Sequence, residues 1–171
     1  MVTADPVTRT VWDAAATVTD PEIPVLTIAD LGILRKVTVE GDSVTVTVTP
    51  TYSGCPAMST ITADITDAVA RTGYDPSRIH VETVLSPAWT TDWMTEDGKR
   101  KLREYGIAPP THRSVPAGPV TLQLGLGRPD VPCPRCGSHA TRELTRFAST
   151  SCKALYVCGD CHEPFDYFKV H

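Results

Sequence analysis

Two C-x-x-C pairs near the end of the chain constrain its fold more than any other feature: Cys133-Pro134-Arg135-Cys136 and Cys158-Gly159-Asp160-Cys161. Two residues between cysteines let both sulfurs point into one tight turn. Two such turns facing each other supply four thiolates in a tetrahedron. The pairs are separated by 21 residues, a spacing that fits the four-cysteine zinc class. Five of the six cysteines fall in the last 39 residues. Units below about 40 residues usually need a staple, so a shared metal explains the pairs better than redox motifs or unrelated buried thiols. Such a site suits zinc or an iron–sulfur centre, and Zn(2+) is the favoured reading. All four positions are filled by protein, which marks a structural site rather than a catalytic one. His139 and His162 lie beside the knuckles and read as solvated side chains or spare ligands. Cys152 is a fifth sulfur, readable as a core cysteine or an alternative ligand.

The strand-like pieces Thr141–Phe147 and Ala154–Cys158 complete the pattern of a zinc ribbon over residues 133–171. The aromatic tail Pro164-Phe165-Asp166-Tyr167-Phe168 reads as packing the ribbon or docking it on a partner. Ahead of it, residues 109–132 hold six prolines and three glycines, the composition of a linker or wrapping arm. Val120–Leu126 within that arm could add one strand.

Residues 1–108 read as a compact α+β domain. Asp5-Pro6 caps a first helix that reaches about Thr17. A hairpin follows, Ile33–Val39 and Ser43–Thr49, turning at Glu40-Gly41-Asp42. In its second strand Val44, Val46 and Val48 alternate strictly with threonines, so the valines face a core. Met58, Ile61, Ile65, Ala68 and Val69 form the stripe of a second helix, stopped at Gly73. Ile79–Leu85 supplies a third strand and Thr95–Tyr105 a third helix, giving the order α-β-β-α-β-α.

Charge excludes a nucleic-acid role. Residues 1–108 carry nine Lys/Arg against 15 Asp/Glu, a balance of −6. Residues 109–171 carry seven against five, and four thiolates with one Zn²⁺ bring that unit near neutral. Binding by phosphate neutralisation needs a basic face. No run approaches the roughly 18 apolar residues of a membrane span. With no secretory leader in view, the expected location is cytoplasmic.

The lone cysteine of the first domain, Cys55, follows a strand and precedes Pro56, a residue suited to the first helical position. That would set its sulfur near a helix N-terminus, where amides and dipole favour the thiolate. A small residue tucked under a turn is the equal alternative. His80 is the only histidine in this domain, so a Cys-His hydrolase has little support.

Several strings coincide with known families. Asp20-Pro21-Glu22-Ile23-Pro24-Val25, Asp30-Leu31-Gly32 and Thr51-Tyr52-Ser53-Gly54-Cys55-Pro56 resemble the small metal–sulfur cluster assembly domain of bacterial Suf-type and eukaryotic cytosolic iron–sulfur machinery. Pro87-Ala88-Trp89-Thr90-Thr91-Asp92-Trp93-Met94, Leu102-Arg103-Glu104-Tyr105-Gly106-Ile107, and the run from Cys152-Lys153-Ala154 to Lys169 extend the likeness. Together they resemble the PaaD (PaaJ) family of subunits of the bacterial phenylacetyl-CoA oxygenase, the ring 1,2-epoxidase of phenylacetate catabolism.

The resemblance implies an accessory subunit that helps metal or iron–sulfur centres mature, not catalytic alone. Cys55 would be the transfer residue, carrying a transient iron or iron–sulfur cluster, with Asp20, Glu22 and Asp30 as neighbouring motif residues. Cys133, Cys136, Cys158 and Cys161 also match the family, as does Cys152. Its implied partners are other oxygenase subunits or iron–sulfur client proteins, with self-association open. A different class of role is a structural subunit of the oxygenase whose zinc merely holds the fold. An independent thiol- or metal-dependent enzyme is disfavoured by the lack of a base beside Cys55.

Overall fold

The computed structural model describes residues 5–111 and 130–170. The chain divides into two compact units, Met1–Trp89 with Trp93–Gly98, and Thr90–Asp92 with Lys99–His171. The strand expected at Val120–Leu126 and most of the arm lie outside the described residues.

In the first unit, helix α1 (Pro6–Ala15) starts as its sequence requires. The Asp5 carboxylate accepts hydrogen bonds from the amides of Val7 and Thr8, and Pro6 occupies the first turn, where a missing N–H costs nothing. Strands β1 (Leu34–Glu40) and β2 (Ser43–Val48) form an antiparallel hairpin closed by Gly41, whose φ of 59° needs no Cβ to clash. Helix α2 (Met58–Ala70) then crosses over to β3 (Ile79–Thr83), which pairs parallel to β2 from Val44↔Ile79 to Val48↔Thr83. The sheet order is β1-β2-β3. Val44, Val46 and Val48 are fully buried, as are Ile61 and Ile65 of α2, so period two meets period 3.6 across one core.

The segment between α1 and β1 is not loose. Leu26, Ile28, Leu31 and Ile33 are all buried, and an isolated bridge joins Thr19 to Thr27. Asp20 Oδ1 accepts from the amides of Glu22 and Ile23, each at 2.8 Å, which folds the Asp-Pro-Glu turn. Gly32 sits at φ 70°, and a Cβ there would lie 2.5 Å from the Trp93 carbonyl oxygen. No larger residue fits that approach.

The second unit is built on a four-stranded sheet of order β4-β7-β6-β5. Its strands are β4 (Ile107–Ala108), β5 (Thr141–Thr145), β6 (Lys153–Cys158) and β7 (Pro164–Phe168). The third helix, α3 (Glu96–Tyr105), precedes β4. The aromatic tail is strand β7 itself. Phe165, Tyr167 and Phe168 are buried, and Tyr156 of β6 meets Tyr167 edge-on at 5.4 Å between ring centres. One core cluster of this unit combines Tyr156, Phe165 and Tyr167 with Ala108, Val131, Cys133, Ala154 and Cys158. One charge is buried on the opposite face of this sheet: Lys153, 5% exposed, whose Nζ lies 3.2 Å from Asp166 Oδ2.

Candidate metal centre and the Cys55 loop

The first knuckle closes when the Gly137 amide bonds the Cys133 carbonyl at 2.9 Å, with Gly137 left-handed at φ 75°. In the second knuckle His162 adopts φ 60°, and the Gly159 amide bonds the Ala140 carbonyl. A Cβ on Gly159 would meet that carbonyl oxygen at 2.9 Å. The knuckles bring four sulfurs together. Cys133 and Cys161 Sγ are 3.8 Å apart, Cys136 and Cys158 Sγ 3.6 Å, and all four lie within 4.8 Å of one another.

A tetrahedron with arms of about 2.3 Å has edges of about 3.8 Å. The observed separations therefore fit one ion at the centre. A cluster with inorganic sulfides between its irons would splay the thiolates further apart. Backbone amides are aimed at the sulfurs, which suits thiolate ligands. The amide of Cys161, then that of Asp160, holds the Cys158 thiol low, at about 6. Cys136 receives the Ser138 amide, but its hydrogen bond to Cys158, desolvation and the other two sulfurs outweigh it and push the group up to about 12. Four thiols at this range share protons until a cation replaces them.

The flanking residues stay outside the tetrahedron. His139 Nδ1 pairs with Asp130 at 2.8 Å, and His162 belongs to the turn. Cys152 is buried with its Sγ 3.0 Å from the Thr150 hydroxyl, and it is not part of the four-sulfur group.

Cys55 stands apart, half-buried in the loop that leaves the carboxyl end of β2. Its amide bonds the Tyr52 carbonyl and its carbonyl receives the Met58 amide, so the loop is a tight double turn. The expected thiolate is corrected here. Helix α2 starts at Met58, later than Pro56 suggested, and Ala57 caps it without a side-chain bond. Burial is the largest influence on the Cys55 thiol and pushes it above its ordinary value. The Ala57 amide and Thr51 pull it down, while the carboxylates of Asp20 and then Glu22 push it up. Burial and two negative charges win, and Cys55 rests as a thiol at neutral pH. Thr51 and the Ala57 amide act on the sulfur only because the turn brings them there, which residue spacing alone does not reveal.

Asp20 and Glu22 are thus within electrostatic reach of the sulfur. Asp30 is engaged elsewhere. Its carboxylate accepts from the Thr27 amide at 3.0 Å and the Thr95 hydroxyl at 3.3 Å, and its carbonyl takes the Thr95 amide. A Cβ on Gly98 would lie 3.0 Å from Asp30, so the contact is close on both sides.

The first unit thus carries a βαβ unit with a cysteine in the loop after its first strand, and the second a β-ribbon that brings four cysteines together. Residues 8–81 match the iron–sulfur cluster assembly protein family, and residues 117–169 match the PaaD zinc beta ribbon domain. Among solved structures, a domain of unknown function DUF59 from Bacillus anthracis superposes with a TM-score of 0.52 at 25% identity, covering 56% of this chain and 91% of that one. The chain is 37% identical over 87 residues to an Fe-S protein maturation auxiliary factor of Porphyromonas gingivalis, spanning 50% of this chain and 81% of that protein. Over 166 residues it is 47% identical to the putative D-type subunit of the 1,2-phenylacetyl-CoA epoxidase of Escherichia coli strain K12, covering 97% of this chain and 94% of the relative. The chain belongs to the PaaD family of phenylacetyl-CoA epoxidase subunits.

Proposed function

We propose that this chain is an accessory maturation subunit of a phenylacetyl-CoA 1,2-epoxidase system, taking up iron or an iron–sulfur cluster at Cys55 and handing it to a client subunit. The observation that carries this reading is the charge around Cys55. Asp20 and Glu22 oppose a bare thiolate, yet the same carboxylates favour a cation beside the sulfur. The thiol gives its proton to solvent as the sulfur–iron bond forms. That bond breaks when a client ligand takes the cargo. A raised thiol pKa keeps the sulfur protonated between loads, and the proton that returns to it from solvent at release competes with the iron.

The four ribbon cysteines hold one Zn²⁺, which supplies the cross-link that so small a sheet needs. The Lys153–Asp166 pair and the aromatic layer then fix the sheet around it. The maturation reading is tested by producing the other epoxidase subunits with wild-type chain, with Cys55→Ser, or with neither. Client iron content and epoxidase activity should fall without Cys55 by at least the roughly tenfold that loss of an outer-shell partner of a metal ligand costs. Full client loading with Cys55→Ser, and one-to-one co-purification with the active oxygenase, would instead make this a structural subunit.

A further inference from the structure

The two knuckles are fastened to each other outside the four sulfurs. The Ser138 hydroxyl donates to Asp160 Oδ2, and Ser138 Oγ in turn accepts the Ala140 amide at 3.0 Å. The Gly159 amide, next to Asp160, bonds the Ala140 carbonyl. Residues 138–140, just past the first knuckle, thus hold residues 159–160 of the second, once through backbone and once through side chains. The same residues also face the sulfurs. The Ser138 amide donates to Cys136 and the Asp160 amide to Cys158. Cys133 and Cys158 are buried, whereas Cys136 and Cys161 are exposed, one from each knuckle. Ser138 lies two residues after Cys136, and Asp160 directly precedes Cys161. The side-chain bond therefore ties together the two loop segments that must part before the outer sulfurs can let go of an ion.

We infer that the Ser138–Asp160 hydrogen bond is a latch on the metal centre, made by two positioning residues that slow release of the ion without ligating it. A hydroxyl–carboxylate bond is charge-assisted, and this one restrains both knuckles at once. Asp160 is exposed, so solvent weakens the bond. Its effect belongs at the lower end of what outer-shell partners of metal ligands contribute. The Gly159–Ala140 backbone bond remains when the latch is opened, so the knuckles stay aligned and all four sulfurs stay in reach. This inference rests on the reading that Cys133, Cys136, Cys158 and Cys161 hold zinc.

The test uses the full zinc-loaded chain with chelator in such excess that the transfer rate no longer depends on it and reports release. Asp160→Ala should speed release by about tenfold, and Ser138→Ala, which also loses the Ala140 bond, by at least as much. The double variant should be no faster than Ser138→Ala alone, because either substitution already breaks the shared bond. Cobalt(II) loaded into each variant should keep the absorption of a tetrahedral four-thiolate site, which separates a latch from residues needed to build the knuckles. Wild-type release from Asp160→Ala would overturn the inference. So would single-variant factors that multiply in the double variant, or a cobalt spectrum that has lost a thiolate. A wild-type chain purified without zinc would overturn the zinc reading itself, and the latch with it.

Discussion

Cys55 shows how one residue's chemistry is decided by influences of opposite sign, with burial the largest. The Ala57 amide stabilises its thiolate, and burial with Asp20 and Glu22 destabilises it by more. A folded pKa above the ordinary value means a thiol across the neutral range. Iodoacetamide labelling of Cys55 should therefore be slow at pH 7 and rise through a midpoint above that of a free cysteine peptide. Asp20→Asn keeps an oxygen for the Glu22 and Ile23 amides but removes the charge, so the midpoint should drop. An unchanged midpoint in both Asp20→Asn and Glu22→Gln would show that the carboxylates do not act on the sulfur. Sequence picks out Cys55 because a cysteine between Gly54 and Pro56 after a valine strand is rare punctuation. The sign of its titration is not legible there, since it depends on how deeply the loop buries the sulfur and on the approach of Asp20 and Glu22.

At the scale of the element, the ribbon sheet depends on an ion pair between neighbouring strands. Lys153 is almost wholly buried and Asp166 about a quarter exposed at the side chain. Breaking such a pair leaves a charge without its partner, so Asp166→Asn should destabilise the zinc-loaded unit by about 3 kcal/mol, below the limit for full burial. Lys153→Met, which removes the buried charge instead, should cost much less. Thermal unfolding of the two variants checks this, and equal losses would mean that volume rather than charge matters. The valine–threonine alternation of β2 is legible because period two is local. Strand β4 is not, because two residues carry no period and Ile107–Ala108 is a strand only by pairing with β7. The tail's dual reading is resolved the same way: Phe165 and Tyr167 are buried on one face of β7 and Phe168 on the other, because β7 pairs with β6.

At the scale of the whole molecule, two kinds of order hold the chain. The first unit is stabilised by a continuous apolar core and the second by a small core closed around four sulfurs. Removing metal with a strong chelator should melt the aromatic near-ultraviolet signal of the ribbon while the hairpin and α2 persist. Acid should do the same. Zinc displaces protons from the thiols, including Cys136 at about 12, so affinity is high at neutral pH and falls as pH drops. Loss of the whole fold on chelation would contradict this division. The gathering of Cys133, Cys136, Cys158 and Cys161 is legible in the sequence because knuckle spacing is a local property. The Ser138–Asp160 bond is not, because the two knuckles meet only after folding.

In the proposed function, four cysteines keep one structural zinc and Cys55 handles cargo. Metal analysis of the air-purified chain, repeated after anaerobic loading with iron and sulfide, tests it most directly. About one zinc per chain is expected before loading in both wild type and Cys55→Ser, with added iron retained only by wild type. Iron bound equally by Cys55→Ser, or iron and labile sulfide in place of zinc and lost on Cys136→Ala, would contradict it.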